Sequence, residues 1–458
     1  MRVESADRSR RLPQNAGSVT PRHFGDAGSS VAGPAIGTVL SLTPEASARK
    51  DPPDDGRTVA TLNTTGEVDR ILADAAEKAG LDDFGETWFL GPLSAYAADL
   101  AQPNLTEFGR QFLRSRAVRD LVRRLRVLET LREHPEIAAV PIPPIVYITG
   151  LERSGTTLLH NLLALHRDAR VLRRWELLEP VPPPDTATYD TDARIAHVQG
   201  QADRLRGTLL EHMHWVNATD PEECVCGFID SVSMLAWAAG PCMPTWWQFL
   251  TEGDLCPAFE NYRRVVQLLL WKHPVEPGGF LVLKAPQISR HVAQFAEVFP
   301  EARFVITDRD PYRCIVSLAV LGHAIVEWFC EINPLTDDGH RSKISSDQVP
   351  SKLASIADFT TDAPSRAMHV SYPELVRAPV DVVQQALEVN AADDELFAKV
   401  VAYLEHQQAG ARAAPPAALD SMGYDQAGVW GDPVITSYCE RFGIEPERTR
   451  LIGAAPAS

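Results

Sequence analysis

The chain has 458 residues, 45% apolar and 23% charged, the composition of a globular protein with a sizeable core, which excludes a fibrous or wholly disordered chain. Its formal net charge of -17 at pH 7 argues against non-specific binding to nucleic acid or to an anionic membrane, because both need a positive surface; any anion site has to be local. The seven cysteines are odd in number and follow no framework spacing, which predicts reduced thiols and no disulfide in a cytoplasmic protein.

The opening residues, MRVESADRSRR, have no apolar stretch behind their charges and do not read as a secretory signal. Residues 1–63, rich in Ser, Gly, Pro, Asp and Arg without apolar periodicity, are expected to form a disordered tail. Thr64 and Glu67 have capping-box spacing and open a helix whose inner face carries Val68, Ile71, Leu72, Ala75 and Ala79. A second, long helix turns Phe108, Phe112, Leu121, Leu125 and Leu128 inward. Its Arg110, Arg114, Arg119, Arg123, Arg124 and Arg126 are expected on a solvated face. Residues 64–140 therefore predict a helical segment packed on a core domain spanning 141–450.

After the prolines at 141, 143 and 144 the pattern changes to short apolar runs separated by helical segments. The runs are IVYIT (145–149), FLVL (280–283), RFVIT (303–307) and AMHVSY (367–372), and each is followed by polar or Gly/Pro residues and a helical pattern. Right-handed crossovers between such strands predict an α/β fold. It is a three-layer αβα arrangement with a central, doubly wound parallel sheet, extra N-terminal helices, and ligands at the strands' C-terminal ends. Ser231 to Leu250 carries no charge over about the length of a membrane span, but Pro241 and Pro244 interrupt it, so buried irregular structure is expected rather than a transmembrane segment. Trp237, Trp246, Trp247, Phe249, Phe259 and Tyr262 crowd this region and either pack the core or wall an apolar acceptor pocket.

The most informative segment is IVYITGLERSGTTLLHNLLA, a buried strand, a loop from Gly150 to Gly155, and a helix opening near Thr156. The two glycines let the backbone curl around an anion, the helix N-terminus offers N–H groups, Ser154, Thr156 and Thr157 add hydroxyls, and Arg153 supplies a cation. The spacing is that of a P-loop, except that Thr156 stands where a nucleotide triphosphatase has its lysine. A kinase or triphosphatase reading, with Asp308 as magnesium ligand at the end of FVITD, has to account for that missing charge.

On these residues the chain resembles the family of sulfotransferases that use 3′-phosphoadenosine 5′-phosphosulfate (PAPS), and within it the bacterial branch. The family's 5′-phosphosulfate loop has a basic residue followed by Ser-Gly-Thr-Thr, here Arg153, Ser154, Gly155, Thr156 and Thr157. Its second signature, an Arg and a Ser eight residues on that hold the 3′-phosphate, matches Arg309 and Ser317 in RFVITDRDPYRCIVSL. The likeness runs from about residue 65 to 445 and includes WELLEPVP (175–182), LVLKAPQ (281–287) and CERFGI (439–444). It implies a P-loop-like fold and PAPS as sulfuryl donor, with no metal required. Three departures stand out: arginine replaces the loop lysine, Leu158 replaces the aromatic that often follows Thr-Thr, and the Arg-Lys-Gly loop of the animal enzymes is missing.

Sulfuryl transfer needs an in-line acceptor, a general base and cations on the developing charge. Arg153 and Lys284, the latter at a strand end beside the crevice, are the candidate cations. His212 and His214, in EHMHWVNATDPEE, are candidate bases, as are Glu222 and Glu223 in the same stretch. His212, His214, Cys224 and Cys226 fit structural zinc spacings poorly. The acceptor is a small molecule, a glycan or a lipid headgroup; the sequence does not choose among them.

Overall fold

Strand β1 (Ile145–Gly150) is buried along its whole length, as expected of a continuous apolar run in the middle of a parallel sheet. In the computed structural model, which describes residues 66–204, 206, 216–229, 240–336, 348–388, 394–409 and 423–447, it is joined by β2 (Ala169–Val171), β3 (Phe280–Lys284), β4 (Ala302–Asp308) and β5 (Ala367–Ser371). The order is β2-β3-β1-β4-β5 and every pair is parallel. From β1 the chain passes to the edge at β2, comes back inward to β3 beside β1, and then crosses to build outward through β4 and β5. The register sets Ile148 beside Lys284 and Gly150 beside Thr307, so the C-terminal ends of β3, β1 and β4 finish side by side. That is the switch point where open α/β sheets bind ligands.

Four of the five strands match the sequence expectation within a residue or two. The exception, β2, is only three residues long and contains Arg170, too short and too polar for a period to register.

Helices cover both faces of the sheet. On one, Tyr147, Leu281, Leu283 and Phe304 pack with α1 (Gly66–Ala79) and its neighbours α2 (Leu90–Asp99) and α3 (Glu107–Glu133) in one apolar cluster. On the other, Val146, Ile148, Val282 and Val305 pack against α4 (Thr156–Leu163) and the helix Pro379–Leu387. Alternate residues of β1 thus serve opposite layers, as the pleat requires. Val68, Ile71 and Ala75 of α1 are buried as expected, and Thr106 caps α3, its hydroxyl accepting from the Gly109 N–H at 2.8 Å.

Three expectations change or pass out of reach. Among the arginines of α3, Arg119 and Arg126 are exposed, but Arg123 and Arg124 are buried. Arg123 donates to the carbonyls of Leu177 and Cys226 at 3.3 and 2.8 Å and to that of Phe228, and Arg124 to those of Phe84 and Glu86. A solvated arginine and one that satisfies buried carbonyls look alike in sequence. The expectation of unpaired cysteines is also corrected: Cys242 and Cys330, 88 residues apart, form a disulfide, a proximity set by the fold and invisible in their spacing. The 1–63 tail, Thr64 and residues 230–239 lie outside the described residues. The remainder of the charge-free window forms a turn at Gly240–Cys242 and the helix Pro244–Glu252, whose Trp246 is fully buried with its backbone N–H on Asp99 at 2.8 Å. Phe259 and Tyr262 are likewise core residues. No helix among the described residues is long and apolar enough to cross a membrane.

Because Arg123 is buried and serves three carbonyls, Arg123→Ala is expected to lower stability by about 2–4 kcal/mol, read as a shifted urea midpoint with an unchanged slope.

Candidate active site

The loop after β1 is a strained, positively charged cradle. Gly150 and Gly155 have φ of 133° and 101°, and Arg153 between them has φ 71°, so three of six consecutive residues lie in left-handed backbone. Glycine is required at both ends on packing grounds too. A Cβ at Gly150 meets the Thr307 carbonyl at 2.5 Å, and one at Gly155 meets the Tyr372 ring at 2.6 Å. Gly155 caps α4 with no side chain over the first turn, which leaves backbone N–H groups facing the crevice.

Ser154 braces this loop from within. It is fully buried, donates to the Leu151 carbonyl at 2.6 Å and meets Thr307 Oγ1 at 2.5 Å. Thr156 is buried at the first helical position, while Thr157 is exposed and its hydroxyl accepts from Lys284 at 3.2 Å. Glu152 is paired with Lys352 of the helix Val349–Asp362, which offsets the one acidic charge of the loop.

Across the crevice the second motif meets the first. Arg153 Nε donates to Ser317 Oγ at 3.1 Å, and Arg309 Nη1 donates to the Arg153 carbonyl at 2.9 Å. Ser317 lies on the helix Pro311–Val326, opened by Asp310, whose side chain accepts from the Tyr312 N–H at 2.9 Å. Arg309 stacks over Tyr372, 4.1 Å from the ring centre. Burial, and then the neighbouring charge of Arg309, hold Arg153 below the usual guanidinium range. Two cations that repel each other in a half-buried crevice, beside open helix amides, form a place for an anion.

Lys284, at the end of β3, forms the third corner. It is 2% exposed and bound to Glu223 Oε1 at 2.7 Å as well as to Thr157. Gln287 donates to the second oxygen of Glu223. Glu223 is set in turn by its own chain. Its N–H is accepted by Glu222 Oε1 at 2.9 Å, Glu222 pairs with Arg174, and Arg123 holds the following turn through the Cys226 carbonyl. A buried pair such as Lys284 with Glu223 contributes little net stability.

The structure thus gathers Arg153, Ser154, Gly155, Thr156, Thr157, Lys284, Arg309 and Ser317 around one crevice. His212 and His214 lie outside the described residues. Cys224 and Cys226 are buried, and burial pushes the Cys224 thiol up to about 12 and the Cys226 thiol well above its usual value. Asp308 is engaged within the fold: Tyr438 donates to one of its oxygens and His369 Nδ1 lies on the other, both at 2.7 Å. Tyr372, Glu447, Gln287 and His160 were not singled out in the sequence. Tyr372 ends a quoted strand run, but nothing in its spacing places it over Gly155.

His160, on α4, is fully buried, and its Nε2 has no partner among the described residues. Burial, and then the charge of Lys284, lower its pKa from 6.5 to about 3.

A profile described as "Sulfotransferase family" matches residues 144–390. The solved structure of sulfotransferase STF9 from Mycobacterium avium is similar with a TM-score of 0.73 and 24% identity, covering 85% of this chain and 99% of that one. Sulfotransferase STF1 from Mycobacterium tuberculosis H37Rv gives a TM-score of 0.61 and 22% identity over 82% of this chain and 98% of that one. Among curated proteins there is no significant match.

The unfolded chain protonates His160 near pH 6.5 while the folded chain does not until about 3. Stability should therefore fall as pH drops below 6.5, by up to about 1.4 kcal/mol per unit for this group. Urea midpoints at pH 7.5, 6.0 and 5.0 are expected to fall less steeply for His160→Leu than for the wild type; equal slopes would contradict a neutral buried imidazole.

Proposed function

The chain belongs to the sulfotransferase family, and we propose that it transfers the sulfuryl group of PAPS to a hydroxyl or amine of a small-molecule, glycan or lipid acceptor. The observation that carries the donor assignment is the contact of Arg153 with Ser317, at 3.1 Å across 164 residues, with Arg309 on the same loop. The residues fit such a donor. The glycine-edged loop and the open first turn of α4 suit the 5′-phosphosulfate, and Arg309 with Ser317 suits the 3′-phosphate. The engagement of Asp308 by Tyr438 and His369, with Thr156 in the lysine position, weighs against the triphosphatase alternative.

The donor supplies the sulfuryl group: a bond forms between the acceptor oxygen and sulfur as the bond from sulfur to the phosphate oxygen breaks, and the 3′,5′-bisphosphate leaves. Lys284, buried, and Arg153, partly buried, contribute fixed positive charge, which burial makes more effective on a developing anion. Glu223 takes the acceptor's proton. Both of its oxygens are already oriented, by Lys284 and Gln287, and each keeps a lone pair for the incoming hydroxyl. Thr157 holds Lys284 toward the loop.

Calorimetric titration with 3′-phosphoadenosine 5′-phosphate (PAP) is expected to give tight, metal-independent binding that Arg309→Ala abolishes; a preference for magnesium ATP would contradict the donor assignment. In turnover with a found acceptor, Glu223→Gln and Lys284→Met should each lower kcat by about a hundredfold or more while PAP binding changes far less in Glu223→Gln. Undiminished kcat in Glu223→Gln would remove it as the base.

A further inference from the structure

We propose that Glu447 is an internal competitor for the donor's 3′-phosphate and so sets how strongly the site favours 3′-phosphorylated over 3′-hydroxyl nucleotides, an inference that rests on the donor assignment above. Arg309 is the cation assigned to that phosphate, and its fork is already filled. Nε and Nη2 donate to the two oxygens of Glu447 at 2.6 and 3.1 Å, and Nη1 is committed to the Arg153 carbonyl. The Nε/Nη2 edge is the one that grips a planar or tetrahedral oxyanion bidentately. A carboxylate there and a phosphate at the same edge repel each other, so the phosphate binds by turning Glu447 out.

Glu447 is placed to make that exchange. It lies beyond the C-terminal helix Pro433–Phe442, where Gly443 with φ 66° turns the chain back toward the end of β4. Its N–H is accepted by Asp310 Oδ2 at 2.8 Å, the residue beside Arg309, so the backbone is anchored while the side chain can swing. The Glu447 side chain is 27% exposed and that of Arg309 20%, so solvent reaches the pair without unfolding. A phosphate monoester carries roughly 1.5–2 negative charges at neutral pH against one for the carboxylate, which makes displacement favourable. A ribose 3′-hydroxyl brings no charge and leaves the pair intact. The cost of displacing Glu447 therefore falls on PAPS and PAP alone, and the returning carboxylate favours release of the bisphosphate product.

The test compares PAP with adenosine 5′-phosphate on the full chain, in wild type, Glu447→Gln and Glu447→Ala, by calorimetry and, for the weaker ligand, by competition. Both variants are expected to bind PAP about fivefold to tenfold tighter, the order of one partly exposed charge-assisted pair, with adenosine 5′-phosphate unchanged. Unchanged or weaker PAP binding in both variants overturns the inference and leaves Glu447 as a residue that holds Arg309 in place. Equal tightening of both nucleotides overturns it as well, since the effect is then not at the 3′ position. If no protein binds PAP, wild type included, the donor assignment itself fails and this inference with it.

Discussion

Arg309 is where the crevice closes on itself. Its guanidinium lies over Tyr372, donates to the backbone of Arg153 and pairs with Glu447, joining parts of the chain that lie 63, 156 and 138 residues away. Only an arginine has enough donors in one plane to serve these partners together. The sheet order makes the meeting possible, because β4 is hydrogen-bonded beside β1 and ends level with it at Thr307 and Gly150. The segments leaving β1 and β4 then have to share one space, and a loop strained at Gly150, Arg153 and Gly155 is held open there by Ser154 and Thr307.

In an acidic protein, positive charge gathered at one place has to be compensated within the fold. Each cation has its own solution. Lys284 is neutralised by buried Glu223, Arg153 leans on the neutral hydroxyl of Ser317, and Arg309 borrows the carboxylate of Glu447. The Glu223 arm extends furthest, through Glu222 to Arg174 and through the Cys226 carbonyl to Arg123 on α3. The N-terminal helices are in this way tied to the turn that carries Glu223, as well as to the apolar face of the sheet.

Much of this was legible in the sequence wherever a local rule governs. Buried strands with period-free apolar runs and a Gly-x4-Gly turn between strand and helix are short-range signals, and they located four strands and the loop; Arg309 and Ser317 came from the resemblance to the sulfotransferase family. The features that were not legible depend on approach in three dimensions. Three residues of β2 carry no period, the burial of Arg123 depends on carbonyls over fifty residues away, and the pairing of Cys242 with Cys330 depends on two turns that meet only in the fold. Glu223 was visible as one acid among several near His212 and His214. Its partnership with Lys284 became clear only when β3 was seen to end beside α4. Glu447 lies just past the last motif, with nothing in its neighbours to mark it.

If the loop at Arg153 and the motif at Arg309, 156 residues apart, hold one ligand between them, both must respond to it together. Hydrogen–deuterium exchange of the full chain with and without PAP tests it most directly, because it reports on each segment separately. Residues 151–158 and 309–317 are expected to gain protection together at the same PAP concentration. Protection confined to one of the two segments, or spread to neither, would contradict it.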